Sequence, residues 1–272
     1  MGRLVVCPTP IGNLEDVTLR VLQTLSSADV VACEDTRHTK RLLDRHGVHA
    51  RLVSFHEHNE AGRARELSSR IAEGSVVALV SDAGTPLISD PGYELVQECL
   101  AAGVPIEVLP GPSAVMVALL ASGLPCERFT FAGFLPRSRG DIAALLGTAA
   151  ETLIAFESPR RLAGTLEILA GLDPERPAAV CRELTKVHEE TRRGSAGELA
   201  AHYGQNPPRG EIVLVCGAAP AGRADREAAL AALRGLVAAG ARPRPAASAV
   251  AGLTGIGVNE LYRALTAPAA RQ

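Results

Sequence analysis

Tryptophan is missing from the 272 residues, and aromatic side chains supply only 3% of them. Hydrophobic residues nonetheless make up 47%, so any core must be aliphatic, and it is large enough for two domains. No apolar run approaches the ~18 residues of a membrane-spanning helix. The six cysteines, at 7, 33, 99, 126, 181 and 216, occur singly rather than in close pairs. That spacing speaks against a disulfide framework or a zinc site and for buried thiols in a reducing compartment. Strong charge is lacking too. A formal net charge of −2 excludes wholesale electrostatic attraction to nucleic acid, so a polyanionic partner must be met by a local basic patch. Met1-Gly2-Arg3 leads directly into strand-like residues without a charged leader, and Val6 stands where a myristoylation signal needs Ser or Thr. The expected compartment is the cytoplasm, with no membrane partner.

What is present is a β-α rhythm. Short apolar runs at Leu4–Cys7, Val30–Cys33, Leu52–Phe55, Val76–Val80 and Ile106–Leu109 alternate with amphipathic stretches around 17–26, 36–46, 60–73, 92–102 and 113–122. Such alternation predicts a mostly parallel sheet. Ser122-Gly123-Leu124-Pro125 closes this half. A second α/β unit follows, with runs at Arg128–Phe134, Leu153–Phe156, Ala178–Cys181 and Ile212–Val215, and with Val187–Arg193 as an antiparallel strand. From about residue 218 the composition turns to Ala, Arg and Pro. The expected division is therefore 1–123, 124–217 and 218–272.

Two strand ends in the first half stand out. Val-Ala-Leu-Val-Ser-Asp-Ala-Gly-Thr-Pro at 77–86 and Leu-Pro-Gly-Pro-Ser-Ala at 109–114 are apolar runs that break off into small, turn-forming residues, as a buried strand does when it delivers its end to a ligand crevice. The first strand ends in Cys7-Pro-Thr-Pro-Ile-Gly-Asn13, which is neither a dinucleotide turn nor a phosphate-cradling loop. Its prolines remove backbone donors, which suits a cofactor recognised by an amino-acid end and a nucleoside rather than by a diphosphate. Asp82 could accept from an ammonium or ribose hydroxyl, Gly84 permits close approach, and Ser113 offers a hydroxyl with a helix-start N–H. Taken alone, these turns are equally compatible with simple structural roles: Gly84 a turn, Ser113 a helix cap.

Seven motifs in order carry a family resemblance. Thr-Pro-Ile-Gly-Asn-Leu-Glu-Asp at 9–16, Glu-Asp-Thr-Arg at 34–37, His-Glu-His-Asn-Glu at 56–60, Ser-Asp-Ala-Gly-Thr-Pro at 81–86, Pro-Gly-Pro-Ser-Ala at 110–114, Glu-Ser-Pro-Arg-Arg at 157–161 and Arg-Glu-Leu-Thr-Lys at 182–186 together resemble the ribosomal RNA small subunit methyltransferase I family. The resemblance covers roughly residues 3–217. It implies an α/β, two-domain tetrapyrrole-methylase-like fold with the cofactor cleft between domains, extended here by a small helical C-terminal segment. It also implies a homodimer that uses S-adenosyl-L-methionine to methylate a cytidine 2′-hydroxyl in 16S ribosomal RNA, either as isolated RNA or within the small ribosomal subunit. Carried onto this chain, the cofactor-binding positions are Pro10, Asp82, Gly84, Thr85, Ser113, Ala114 and Phe156. The chain departs from the pattern after Gly133-Phe134-Leu135-Pro136, where a Lys and a later Arg are expected and Arg137-Ser138-Arg139 stands instead, and at Arg160, where His is expected. Positive charge is kept; its spacing is not.

Methyl transfer from a sulfonium to an alcohol needs in-line alignment and removal of the hydroxyl proton. Candidates for the proton are Glu183, Lys186 and Asp35, with Lys186 eligible if desolvation lowers its pKa and Arg37 as a phosphate anchor. Asp35 has an alternative role as a helix cap, and the charges from Arg182 to Glu190 line either a cleft or a solvated strand. His56, His58 and Asn59 read as an RNA-facing loop; no matching third cluster of Cys or His supports a metal site, so none is expected.

The last 55 residues hold seven Arg against three acidic residues, a formal +4 that leaves about −6 on the rest. Residues 245–265 have the spacing of a helix, a Gly-containing turn and a second helix, either a helix-turn-helix unit or a hairpin packed on the core or a dimer partner. Arg242, Arg244 and Arg263 are the expected phosphate contacts. Two other functions share these features: a tetrapyrrole or diphthamide-pathway methyltransferase on the same fold, and a non-catalytic RNA-binding module.

Overall fold

The computed structural model describes residues 2–220, 223–254 and 256–266. Strands β1 (Arg3–Val6), β2 (Val30–Cys33), β3 (Leu52–Ser54), β4 (Val76–Val80) and β5 (Ile106–Val108) form an all-parallel sheet in the order β3-β2-β4-β1-β5. The connecting helices are α1 (Leu19–Ser27), α2 (Thr36–Arg45), α3 (Glu60–Ala72) and α4 (Tyr93–Ala101). Side chains along each strand alternate between two cores, because successive Cβ atoms point to opposite faces. Leu4, Val6, Val77 and Leu79 meet α3 and α4, whereas Val5, Cys7, Ala78 and Val80 meet α1 and α2. The chain leaves β1 toward β2 and leaves β4 toward β5, in opposite directions from two adjacent strands. A crevice opens at such a switch point.

A second sheet follows, ordered β6-β7-β10-β8-β9 and made from β6 (Phe129–Phe134), β7 (Thr152–Glu157), β8 (Pro177–Arg182), β9 (Glu190–Ser195) and β10 (Ile212–Cys216). Only β6 and β7 pair parallel; β7-β10, β10-β8 and β8-β9 are antiparallel. One face is covered by α6 (Arg139–Thr148), α7 (Leu162–Leu172) and α8 (Ala196–Gln205). The other face receives α5 (Ala114–Ser122), which follows β5 of the first sheet and buries Val115, Ala118 and Leu119 against Ile154, Ala179, Val213 and Val215. An apolar helix from one half is thus the packing surface of the other. This sets the gap between the two sheets.

Local sequence explains most helix starts. Thr18 accepts from the Val21 N–H at 3.2 Å, Asp35 accepts from Arg37 at 2.8 Å, and Ser195 with Glu198 forms a reciprocal capping box. Helix α4 instead starts at Gly92, and its free N–H groups at Gly92 and Glu94 donate to Glu60 Oε1 of α3 at 2.8 and 3.1 Å. The C-terminal helices α9 (Arg223–Ala238), α10 (Pro243–Thr254) and α11 (Val258–Thr266) bury Ala229, Leu233, Ala246, Ala247, Val250 and Leu261 among themselves. The tail is therefore a three-helix unit with its own core, rather than a hairpin that relies on the main body.

Five of the cysteines are buried, and burial pushes the Cys7 and Cys216 thiols up to about 12. Cys126 departs from the expectation of buried thiols: it is exposed. Among the described residues no helix is long and apolar enough to cross a membrane.

Candidate active site

A cavity of about 420 Å³ lies between the strand ends of the first sheet and the second sheet. Its volume is within the range of cofactor sites. The wall from the first half comes from Ile11, Ala83–Thr85, Ile88–Asp90 and Ser113–Val115; the wall from the second comes from Phe134, Phe156–Pro159, Cys181, Leu184 and Gly210–Val213.

The turn after β4 is built for close approach. Gly84 has φ +82, and it exchanges two backbone hydrogen bonds with Thr9, at 2.8 and 3.0 Å, which bind the β1 and β4 loops together. A Cβ there would stand 3.3 Å from Ile11 Cγ2. Thr85 Oγ1 donates to the Pro112 carbonyl at 3.1 Å, so the third loop is locked to the second. Ser113 occupies the N-cap position of α5, yet its hydroxyl makes no capping bond. That hydroxyl and the α5 N-terminus face the cavity as open groups for an anionic or amino-acid end. Opposite them, Phe156 packs edge-on between Phe131 and Phe134 with ring centroids 5.1 and 5.3 Å away. Phe156, Leu184 and Val213 give that wall an apolar surface.

Of the cofactor positions expected from sequence, Gly84, Thr85, Ser113, Ala114 and Phe156 line the cavity. Pro10 and Asp82 do not. Pro10 is buried behind the loop beside Ile11. Asp82 Oδ1 accepts the Asp35 N–H at 3.0 Å, so its work is to brace the β2-α2 loop against the end of β4.

The rim from the second half is a charged knot. Lys186 Nζ donates to Glu183 Oε1 at 2.9 Å and Glu211 Oε2 at 3.0 Å, and Glu183 Oε1 also accepts the Glu211 N–H at 2.9 Å. The Glu211 amide and then Lys186 hold the Glu183 carboxyl below the usual carboxylate range. Desolvation lowers the Lys186 pKa, but its bonds to Glu183 and Glu211 outweigh it and the net shift is upward. Lys186 therefore stays an ammonium, contrary to the expectation that burial could make it a base. Asp35 is likewise engaged: Arg37 donates from Nε to its Oδ1 at 3.1 Å and from Nη2 to its Oδ2 at 2.8 Å, while the Arg37 backbone N–H donates to Oδ1. Side-chain and backbone bonds from Arg37 hold Asp35 far below its ordinary pKa, so it is a helix cap and a poor proton acceptor. Further along, Arg182 pairs with Glu190 at 3.2 Å, and Glu189 accepts the Thr185 N–H at 2.8 Å. The 182–190 charges brace one turn, whose Thr185 Oγ1 takes the Asn13 N–H at 3.1 Å from the β1 loop.

His56 and Asn59 turn toward each other: the His56 N–H donates to Asn59 Oδ1 at 2.9 Å, and Asn59 Nδ2 to the Ser54 carbonyl at 3.3 Å. With Glu60 capping α4, this motif is mainly a clamp, leaving His58 as its exposed ring. Arg37, Arg137, Arg242, Arg244 and Arg263 are exposed. Sequence reasoning passed over Asp90, Gly210 and Glu211. The Asp90-Pro91-Gly92 turn signal was available; nothing local marks 210–211, which reach the cavity through the antiparallel course of β10.

The two-sheet chain, with its cleft at a switch point, has the architecture of the tetrapyrrole-methylase class of methyltransferases. Residues 3–200 match the family model Tetrapyrrole (Corrin/Porphyrin) Methylases. "Ribosomal RNA small subunit methyltransferase I" of Mesorhizobium japonicum is 49% identical over 268 residues, covering 96% of this chain and 90% of the relative. The protein of the same name from Thermotoga maritima is 43% identical over 217 residues, covering 79% of this chain and 98% of the relative. Uroporphyrin-III-C-methyltransferase from Thermus thermophilus shares the architecture with a TM-score of 0.59 and 26% identity, covering 79% of this chain and 94% of that one. The chain belongs to the ribosomal RNA small subunit methyltransferase I family within the tetrapyrrole methylases. It is a methyltransferase.

Proposed function

We propose that the chain methylates small-subunit ribosomal RNA, at the 2′-hydroxyl of a cytidine, with S-adenosylmethionine as donor. The observation that carries the reading is the cavity itself, with small residues and an open Ser113 hydroxyl on one wall and Phe156, Leu184 and Val213 on the other. Relatives at 43–49% identity are named for the ribosomal small subunit, whereas the uroporphyrin-III-C-methyltransferase of Thermus thermophilus is 26% identical.

The bound cofactor supplies an activated methyl group on a sulfonium. Ser113, the α5 N-terminus and Thr85 receive its methionine end; Gly84 and Ala114 leave room for it; Phe156 and Leu184 take the nucleoside. The Glu183-Lys186-Glu211 knot keeps the second wall in register, and Lys186 remains cationic for contact with the RNA backbone. Arg37, 89% exposed at its side chain, and Arg137 supply further phosphate contacts near the rim. Most of the rate comes from alignment, since in-line displacement needs the oxygen, carbon and sulfur collinear.

The tail is an RNA or subunit grip through Arg242, Arg244 and Arg263, and not part of the chemistry. The Thermotoga relative of the same name is matched over 98% of its length while about a fifth of this chain lies outside the match, so that fifth is not needed for the family's chemistry. The chain works as a homodimer: β5 is an edge strand with Val108 exposed, and the following α5 leaves Met116 and Leu120 exposed, apolar surface suited to a second copy. The decisive experiment is calorimetry with S-adenosylmethionine followed by transfer of labelled methyl to small subunits from a strain lacking this protein, with the modified nucleotide mapped. No transfer to the subunit or its RNA would refute the reading.

A further inference from the structure

We infer that Asp90 is the group that takes the proton from the attacking ribose hydroxyl, a role that rests on the methyl-transfer reading above. Asp90 lines the cavity beside Gly84 and Ala114. It sits on a strained loop: Leu87 and Ser89 have φ of 72° and 68°, and among the described residues the other non-glycine positive φ values belong to Glu183 and Thr185, which flank Leu184 of the second wall. Left-handed backbone at β-carbon residues costs free energy and persists where surrounding contacts enforce it, which singles out functional loops. The far end of the Asp90 loop is tied down by Glu60 through Gly92 and Glu94.

The cavity has three lining carboxylates, and two are committed elsewhere. Glu157 accepts from Thr165 Oγ1 at 2.6 Å and from the Ser158 N–H at 2.7 Å, with Arg161 at 3.4 Å. Glu211 shares Lys186. Asp90 has no cationic partner among the described residues. The groups around it are the Ser81 hydroxyl, Glu34 from the end of β2 and Asp82 from the end of β4, with His56 and Glu57 acting on Glu34 from the next loop. Burial first, then the negative charges of Glu34 and Asp82, push its carboxyl up to about 6 against the restraint of Ser81. A base is most effective when its pKa lies near the working pH. Asp35 and Glu183, both held low by donors, are weaker bases than Asp90.

The ribose oxygen forms its bond to the methyl carbon, the carbon–sulfur bond breaks with its electron pair going to sulfur, and the hydroxyl proton passes to an Asp90 oxygen. Sulfonium becomes thioether, carboxylate becomes carboxylic acid, and the proton then leaves to solvent through the open mouth.

The test compares wild type with Asp90→Asn and Asp90→Glu. Calorimetry measures S-adenosylmethionine affinity, and single-turnover methylation of small subunits is followed from about pH 5 to 8. Asp90→Asn should bind cofactor within a few-fold of wild type while its rate falls about 10² or more. The wild-type rate should climb with pH around a midpoint near 6, and that limb should vanish in Asp90→Asn and return in Asp90→Glu. An active wild type with an Asp90→Asn variant that keeps both its rate and its acid limb overturns the inference alone. A wild type that binds cofactor but methylates no ribosomal RNA overturns the methyl-transfer reading and this inference with it.

Discussion

Gly84→Ala is the most searching perturbation of the cofactor turn. At φ +82 a residue with a Cβ pays roughly 1–2 kcal/mol. The backbone cannot swing to negative φ without breaking its two hydrogen bonds to Thr9, each contributing about 1 kcal/mol. The new methyl also meets Ile11 Cγ2 at 3.3 Å, closer than ordinary contact, and Ile11 is itself buried. The combined cost is roughly 2 kcal/mol. For a body of this size that lowers Tm by about 4–8 °C. If the loop relieves the strain by leaving its left-handed conformation, the cofactor must restore it on binding, and affinity falls by up to about thirtyfold. Thermal unfolding with and without S-adenosylmethionine, together with calorimetry, reads both quantities. A variant within about one degree of wild type and with unchanged affinity would show that neither the turn geometry nor the β1-β4 lock matters to the site.

Lys186→Met removes the cation between Glu183 and Glu211 and should cut single-turnover methylation about tenfold or more while cofactor affinity changes only a few-fold; equal loss of both would place Lys186 in cofactor binding instead. Chains ending at Gly217 should fold and bind cofactor normally, but bind RNA more weakly and with a salt dependence flatter by about 0.7–0.9 log unit for each phosphate that the tail no longer neutralises. A folded triple charge reversal at Arg242, Arg244 and Arg263 with wild-type RNA affinity and salt slope would make the tail purely structural. Asp90→Asn has a stability consequence as well. A carboxyl raised from 3.8 to about 6 is better tolerated protonated in the fold, so stability is lost as pH rises through that window. The variant should gain on the order of 1 kcal/mol at pH 7 after solvent screening, and nothing near pH 4, as followed by denaturant unfolding at the two pH values.

The local code was legible wherever neighbours in sequence decide the outcome. Continuous apolar runs such as Leu4–Cys7 and Val76–Val80 dictate strands buried on both faces, whose alternate residues feed two cores, and small residues follow them in the turns. The seven ordered motifs from Thr9 to Lys186 carried the resemblance that names the family. Charge segregation in the last 55 residues was likewise written in composition. Tertiary structure alone decided which polar groups face the cavity. Asp35, Asp82 and Lys186 look like free functional groups in the sequence, yet each is held by a partner far along the chain or across a turn: Asp82 by the Asp35 amide, Lys186 by Glu211 immediately before β10. Asp90, unremarkable in sequence, is left without a cation because the acids Glu34 and Asp82 converge on it from two neighbouring strands. Protonation state follows from burial and from charges brought together by folding. A linear pattern can specify where a strand ends, but the field at that end is the sum over groups that only the packed sheets place within reach.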